Sequence, residues 1–200
     1  MKILALELSS GRGSIAWRDG EREPRETQFA NDRKHSGLFF SSLRKLLGTC
    51  GNADRIVVGI GPGSYAGTRI AIAAAIGLQT ATGAELVGLP SLCTLPTAAE
   101  EYCVIGDARR QSFFFARVQD RGCVEGPILH HAAELHARLS AVIYPVFTSE
   151  PLSEFPGATV AYPSAAVLAV LAAEEHPDLV GPPLQPLYLR DPHITQPRSG

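Results

Sequence analysis

Three sets of residues in this chain of 200 are of types that could do chemistry. The first is the run Gly59-Ile60-Gly61-Pro62-Gly63-Ser64-Tyr65-Ala66-Gly67-Thr68-Arg69-Ile70, which comes after the apolar Ile56-Val57-Val58. Gly61, Gly63 and Gly67 can take positive φ or let an anion or another backbone come close, and Pro62 fixes a turn. Ser64 is placed to cap the helix after it, whose bare N–H groups would suit an anion. The second set is a pair of carboxylates, Glu7 and Asp107, each at the end of an apolar run. Facing one another across a cleft, they could hold magnesium or activate water. The plainer alternative is a carboxylate that bonds the turn beside it. The third set is the histidines: His35 near a helix start, and His130, His131 and His136 together.

The glycine run fails the sharper motifs. A Walker loop needs Lys after its last glycine, and Thr68-Arg69 stands there. The dinucleotide fingerprint is formally met by Gly61, Gly63 and Ala66, with Glu85 further on. It belongs in a first βαβ crossover, however, and several elements precede this loop. A nucleophile elbow would need glycine where Pro62 sits. What remains open is a loop that only launches a helix, or one that also contacts a ligand or partner. The histidines carry little. The i+4 partner of His35 is Phe39, and the later trio has no acid or thiol at ligand spacing, so neither a metal site nor a catalytic residue is expected.

Composition narrows the classes. Apolar residues make up 45% of the chain and the net charge is −2, which fits a folded core and argues against independent gripping of nucleic acid. The densest basic spots, Arg33-Lys34 with Arg44-Lys45 and Arg109-Arg110, are short. Cys50, Cys93, Cys103 and Cys123 form no C-x-x-C pair, which reads as reduced thiols and a cytoplasmic setting. Glu7 cuts the N-terminal apolar run too early for a signal segment, and no run is long enough to span a membrane.

The elements that must position these residues run in order along the chain. Lys2 to Ser9, Ser14 to Arg18 and Arg22 to Ala30 read as an antiparallel meander, with Asp19-Gly20 as a hairpin signal. His35 to Leu47 has apolar residues three and four apart, a helix pattern. Arg55 to Ile60 is a buried strand, Ser64 to Ala81 a helix closed by Gly83, Glu85 to Leu89 a strand, and Pro90-Ser91 opens a short helix to about Ala99. The second half repeats the order: strands at Tyr102 to Asp107, Gln111 to Gln119 and Cys123 to His130, a helix from His131 to Leu139, a strand from Ala141 to Thr148, and an amphipathic helix from Pro163 to Glu175. A proline-rich tail holds one apolar knot, Pro186-Leu187-Tyr188-Leu189.

Both halves therefore read βββαβα, a duplication of element order. The expectation is an α/β protein of the actin/Hsp70 and sugar-kinase (ASKHA) type, with a mixed sheet in each lobe and a reduced second lobe. The first lobe, 1–100, carries the glycine loop; the second is 101–200. The Ser64–Ala81 helix has almost no charged face, and small residues Ala73, Ala74 and Gly77 lie beside Ile70 on it. With Ile76 on the same helix and Leu38, Phe39, Phe40, Ser42 and Leu43 on the preceding one, it suggests an apolar patch covered by another chain.

The run Gly61-Pro62-Gly63-Ser64-Tyr65-Ala66-Gly67-Thr68-Arg69-Ile70 resembles the signature of the bacterial TsaB (YeaZ) family. Ile3-Leu4-Ala5-Leu6-Glu7-Leu8-Ser9, His35 with Leu38, Asp107-Ala108-Arg109 and Pro186-Leu187-Tyr188-Leu189-Arg190 support it. The resemblance implies an actin-like fold and a non-catalytic scaffold in making threonylcarbamoyladenosine in transfer RNA; the alternative is an ATP-dependent enzyme or glycoprotease-like hydrolase using the cleft between Glu7, Gly63 and Asp107. It implies docking on a TsaD-like paralogue through the first two helices, with a TsaE-like ATPase joining. A homodimer is implied for the chain in isolation, and contact with transfer RNA only through the complex. TsaD carries an H-x-x-x-H metal pair, and here Phe39 breaks it. No cofactor is expected on this chain alone; a nucleotide position at the junction with TsaD would involve Gly61, Pro62, Gly63, Ser64, Gly67 and Arg69. Ala66, Ala71 and Glu7-Leu8 depart from the family's usual Thr, Gly and Asp-Thr, which counts against a nucleotide in this chain's own cleft.

Overall fold

The computed structural model describes residues 1–31 and 37–190. His35, the Arg33-Lys34 pair and the tail beyond residue 190 lie outside the described residues. The chain runs β1 (Lys2–Glu7), β2 (Arg12–Asp19), β3 (Arg25–Ala30), α1 (Gly37–Cys50), β4 (Arg55–Gly59), α2 (Tyr65–Thr82), β5 (Glu85–Leu89) and a 3-10 turn, Ser91–Thr94. Then come β6 (Glu101–Asp107), β7 (Ser112–Gln119), β8 (Gly122–His131), α3 (Ala132–Ser140), β9 (Val146–Thr148), β10 (Thr159–Val160) and α4 (Ala165–Ala173).

Two five-stranded sheets result, in the orders β3-β2-β1-β4-β5 and β8-β7-β6-β9-β10. Counted within each half, both orders are 3-2-1-4-5. In each, the first strand pairs antiparallel with the second and parallel with the fourth. The duplication expected from element order is thus a duplication of topology, and the fold is the actin-like α/β architecture.

Strand alternation explains how one sheet feeds two cores. In β1, Leu4 and Leu6 face a core built with Phe39 and Leu43 of α1 and Ala71, Ile72 and Ala75 of α2. Ile3 and Ala5 face the other way, onto Ala165, Leu168, Ala169 and Leu171 of α4. Thus α4 lies in the second half of the chain but packs on the sheet of the first.

Four expectations change. The amphipathic reading of the last helix fails: AAVLAVLAA is apolar on every side, and α4 is wedged against β1, β2 and β4. It also comes after β10 instead of separating β9 from β10, so among the described residues the second half has no counterpart of α2, and the two-residue β10 carries too little pattern to be read. The helix expected from Pro90 to Ala99 is only the 3-10 turn Ser91–Thr94. The strand expected from Ala141 to Thr148 is confined to its last three residues.

Both ends of α4 are fastened to the first sheet. At its start, Ser164 Oγ accepts from the N–H groups of Ala166 and Val167, while Ser14 Oγ accepts from Ala165 N at 2.9 Å. Glu26 Oε1 accepts from Ser164 Oγ at 2.9 Å and from Ala166 N at 3.2 Å. At its end, the buried Arg55 donates to Ala172 O at 2.5 Å and pairs with Glu85 and Glu175, each at 2.8 Å. A carboxylate at the N-terminus and a guanidinium at the C-terminus both complement the helix dipole.

Candidate functional site

The glycine loop connects β4 to α2, and its backbone is spoken for on three sides. Ile60 N donates to Leu89 O at 2.9 Å, and Ser91 N to Gly61 O at 2.8 Å. Gly61 N donates to Ser91 Oγ at 3.0 Å. Ser64 N donates to Ser9 O at 2.6 Å, and Leu187 N of the tail to Ile60 O at 2.8 Å. Gly63 has φ +155°, and a Cβ there would stand 2.0 Å from Ser9 O, so no side chain fits. Ser64 caps α2 as its position foretold, its Oγ accepting from Gly67 N at 3.2 Å. Gly83 closes the helix in the left-handed conformation at φ 73°.

Beneath the loop lies Glu7, fully buried. Its Oε1 accepts from Ser9 N at 2.7 Å. Its Oε2 has no partner by strict geometry and stands 1.8 Å from where a Cβ on Gly59 would be. Burial pushes the Glu7 carboxyl above its ordinary range, against the opposing pull of hydrogen bonds from Ser9, Ser91 and Leu8.

The two lobes enclose a cavity of about 730 Å³. The first lobe contributes Ser9-Ser10-Gly11, Asn31, Gly61, Gly63, Ser64 and Thr68; the second contributes Gly106 to Arg109 and Ser149 to Pro151. Tyr162 and the tail residues Pro186 to Arg190 complete it. Asp107 lines the cavity, but Glu7 does not. The expected pairing of the two carboxylates across the cleft is therefore corrected: the loop and Ser91 seal Glu7 away. Asp107 is engaged by Arg109, whose backbone N–H and Nη1 each reach it at 2.7 Å. Arg109, Arg110 and Gln111 all have positive φ, 65°, 55° and 57°. Three consecutive left-handed non-glycine residues are strained, and this hairpin tip is held at the cavity rim.

The tail crosses the mouth of this cavity. Val180 bridges Gly88, Leu184 enters the first-lobe core, and Leu187 packs against that core. Two residues on, Leu189 packs against the second-lobe cluster of Leu92, Leu95 and Tyr102. Between them, Tyr188 meets Tyr65 of α2 with ring centroids 5.6 Å apart.

The expected partner face divides. Ala73 and Gly77 of α2 are exposed, Ile70, Ala74 and Ser42 are half-buried, and Leu38 of α1 is 51% exposed. Phe39 and Leu43 are corrected: at 2% and 6% exposure they belong to the core beneath α1, where the helical repeat turns them toward the sheet. Phe40 and Ile76, beside them, are exposed as the patch reading expects, at 49% and 45%. Nor is α2 enclosed all round; its Tyr65, Ala66, Arg69, Ala73, Ile76 and Gly77 side is open.

Sequence reasoning also missed Ser149, Glu150, Pro151 and Tyr162 as cavity residues. The repeat held a signal for three of them. Ser149-Glu150-Pro151 comes after β9 as Ile60-Gly61-Pro62 comes after β4. Tyr162 offers no such signal; it lies after β10 and carries Arg12 over its ring at 4.4 Å.

Fold and cavity define a two-lobed actin-like protein with an inter-lobe cavity of mixed lining and an open helical face on the first lobe. Comparison with known proteins narrows this. Residues 29–175 match the family described as TsaD, tRNA N6-adenosine threonylcarbamoyltransferase, and the chain belongs to that family. This connects it to the modification of transfer RNA. Uncharacterized proteins of Mycobacterium bovis and Mycobacterium tuberculosis are 32% identical over 145 residues, 72% of this chain and 67% of theirs. Two Pseudomonas aeruginosa structures share the fold, one titled YeaZ and one described as similar to peptidase YeaZ. Their TM-scores are 0.71 and 0.75, each at 24% identity over 94% of this chain and 99% of theirs.

Proposed function

We propose that this chain is a non-catalytic subunit of the assembly that forms threonylcarbamoyladenosine in transfer RNA, docking on a TsaD-like transferase through the open face of α1 and α2. A TsaE-like ATPase would join the assembly, transfer RNA would be met only through it, and in isolation the face would pair with a second copy. One observation carries the reading: α1 and α2 pack into one core on the same side of the first sheet, yet they expose Leu38, Phe40 and Ile76, with the small, exposed Ala73 and Gly77 beside Ile76 on α2. Exposed apolar residues grouped in this way mark an interface.

The chain's own residues support a role without chemistry of its own. Glu7 is sealed beneath the loop, Asp107 is engaged by Arg109, and Phe39 is turned into the core. The loop's backbone is spent on holding α2 in one direction.

The test is co-purification with the TsaD-like subunit of the same organism, together with the threonylcarbamoyladenosine content of its transfer RNA. Ile76→Glu and Leu38→Glu should abolish co-purification and leave the melting temperature of the isolated chain unchanged, since both positions are exposed. Phe39→Glu cannot serve, because it would unfold the core. Retained co-purification in the Glu variants, or modification that persists without this chain, would overturn the reading.

A further inference from the structure

The face on α1 and α2 has a charge pattern as well as an apolar one. Neither helix contains an aspartate or glutamate among its 14 and 18 residues. Their three cations, Arg44, Lys45 and Arg69, are all exposed. Among the described residues, the acids nearest in sequence to the ends of the two helices, Asp54 and Glu85, are already engaged: Asp54 Oδ2 accepts from Lys2 N at 2.7 Å and Glu85 pairs with Arg55.

Arg69 is the best positioned of the three cations. It lies one helical turn before Ala73 and two before Ile76, on the open stripe of α2. Its Nη1 donates to Tyr65 Oη at 2.6 Å, and its guanidinium carbon is 5.1 Å from the Tyr65 ring centroid. Tyr188 of the tail stacks on that same Tyr65. The guanidinium is thus braced by two aromatic rings, and among the described residues no carboxylate pairs with it. Tyrosine and arginine are among the residue types that dominate binding energy at interfaces, and a braced guanidinium loses little freedom on pairing with a carboxylate.

We propose that this face selects a partner surface that is apolar at its centre and acidic at its rim, with Arg69, Tyr65 and Tyr188 as the anchor. The proposal rests on the docking reading above and deepens it by giving the chemistry of the partner. A second copy of this chain is the poorer occupant. Two-fold pairing sets the same patch against itself, bringing two sets of Arg44, Lys45 and Arg69 together with no acid on either helix to pair with them.

Opposite salt dependences separate the two occupants. With the purified TsaD-like subunit as probe, raising salt from about 0.1 M to about 1 M should weaken binding about tenfold by screening opposite charges. Pairing of the isolated chain, measured by sedimentation, should tighten over the same range. Arg69→Glu should weaken binding of the subunit about tenfold or more at low salt. Arg44→Glu should act in the same direction without touching Tyr65 or the loop. Subunit binding that ignores both salt and Arg69→Glu would overturn the acidic-rim proposal and leave docking intact. Absence of binding by the wild-type chain at either salt would overturn both.

Discussion

Glu7 and Asp107 occupy the same place in two copies of one topology. Each ends the central strand of its sheet and precedes the turn into a hairpin. Their surroundings differ completely. Glu7 is sealed beneath the glycine loop with one oxygen unpartnered. Asp107 stands at the cavity wall, with Arg109 on both its oxygens. The difference originates in the segment after the fourth strand of each copy. After β4, a compact glycine loop folds down on the strand end and launches an 18-residue helix. After β9, the chain passes through Ser149-Glu150-Pro151 without a helix and leaves its carboxylate open to the cavity. The same strand-end acid is a structural post in one lobe and a cavity residue in the other.

The most severe way to break this contrast is to roof Glu7 with a methyl group. Gly59→Ala would put Cβ 1.8 Å from Glu7 Oε2 and 2.7 Å from Ser91 Oγ. Both neighbours are buried and have nowhere to go, so a loss of about 3 kcal/mol or more is expected in urea unfolding. Next in size is removal of the carboxyl itself. Glu7→Ala strips Ser9 N of its acceptor and leaves a void, for a loss of about 2 kcal/mol. Asp107→Ala should cost less than about 0.5 kcal/mol, since its pairing with Arg109 is partly exposed. Equal losses at the two positions would end the comparison.

A pH series sharpens it. Glu7 is buried with its pKa raised above the ordinary 4.5. A carboxyl raised in the folded state contributes most below the unfolded pKa, and that contribution is lost as pH rises through the folded pKa. Glu7→Gln keeps the shape and cannot ionise. The melting temperature of the variant should therefore gain on the wild type as pH climbs from about 4.5 toward neutrality, by the equivalent of about 1.4 kcal/mol for each unit of upward shift. A difference that is flat with pH would mean that Glu7 ionises in the fold as freely as in the open chain.

Much of this arrangement is legible in the residues alone. The duplication, the sheet-forming runs, the Ser64 cap and the Gly83 stop all come from local chemistry that tertiary contacts do not override. The division of the first helix is less legible. Phe39 and Phe40 are adjacent and identical in type, and only the direction of the sheet decides which is core and which is face. The fate of Glu7 is not legible, because a strand-end acid looks the same whether a loop closes over it or not. The partnership of α4 with the first sheet is hidden for a similar reason: a helix apolar all round gives no direction from which to infer its neighbour.

Glu26 provides the mildest test, and it runs opposite in sign to Glu7. It too is partly removed from water, and that burial alone would raise its pKa. The bonds from Gln28, Ala166, Ser164 and Ser14 outweigh burial, and the pKa is lowered below 4.5. The physical difference lies in supply of donors. Oε1 of Glu26 meets the open N-terminus of α4, where N–H groups need an acceptor, whereas Glu7 lies under a loop whose N–H groups are mostly committed elsewhere. A depressed carboxyl contributes fully above its unfolded pKa and loses its contribution as pH falls through the folded value. Glu26→Gln should accordingly cost about 0.5–1 kcal/mol near neutrality, the scale of a charge at a helix terminus. That cost should vanish on acidification, while Glu7→Gln loses its advantage over the same descent. Two glutamates in one lobe, titrating in opposite senses, would show that α4 is held to the first sheet by charge as well as by packing. A Glu26→Gln deficit that persists below the folded pKa would assign the whole effect to hydrogen-bond geometry instead.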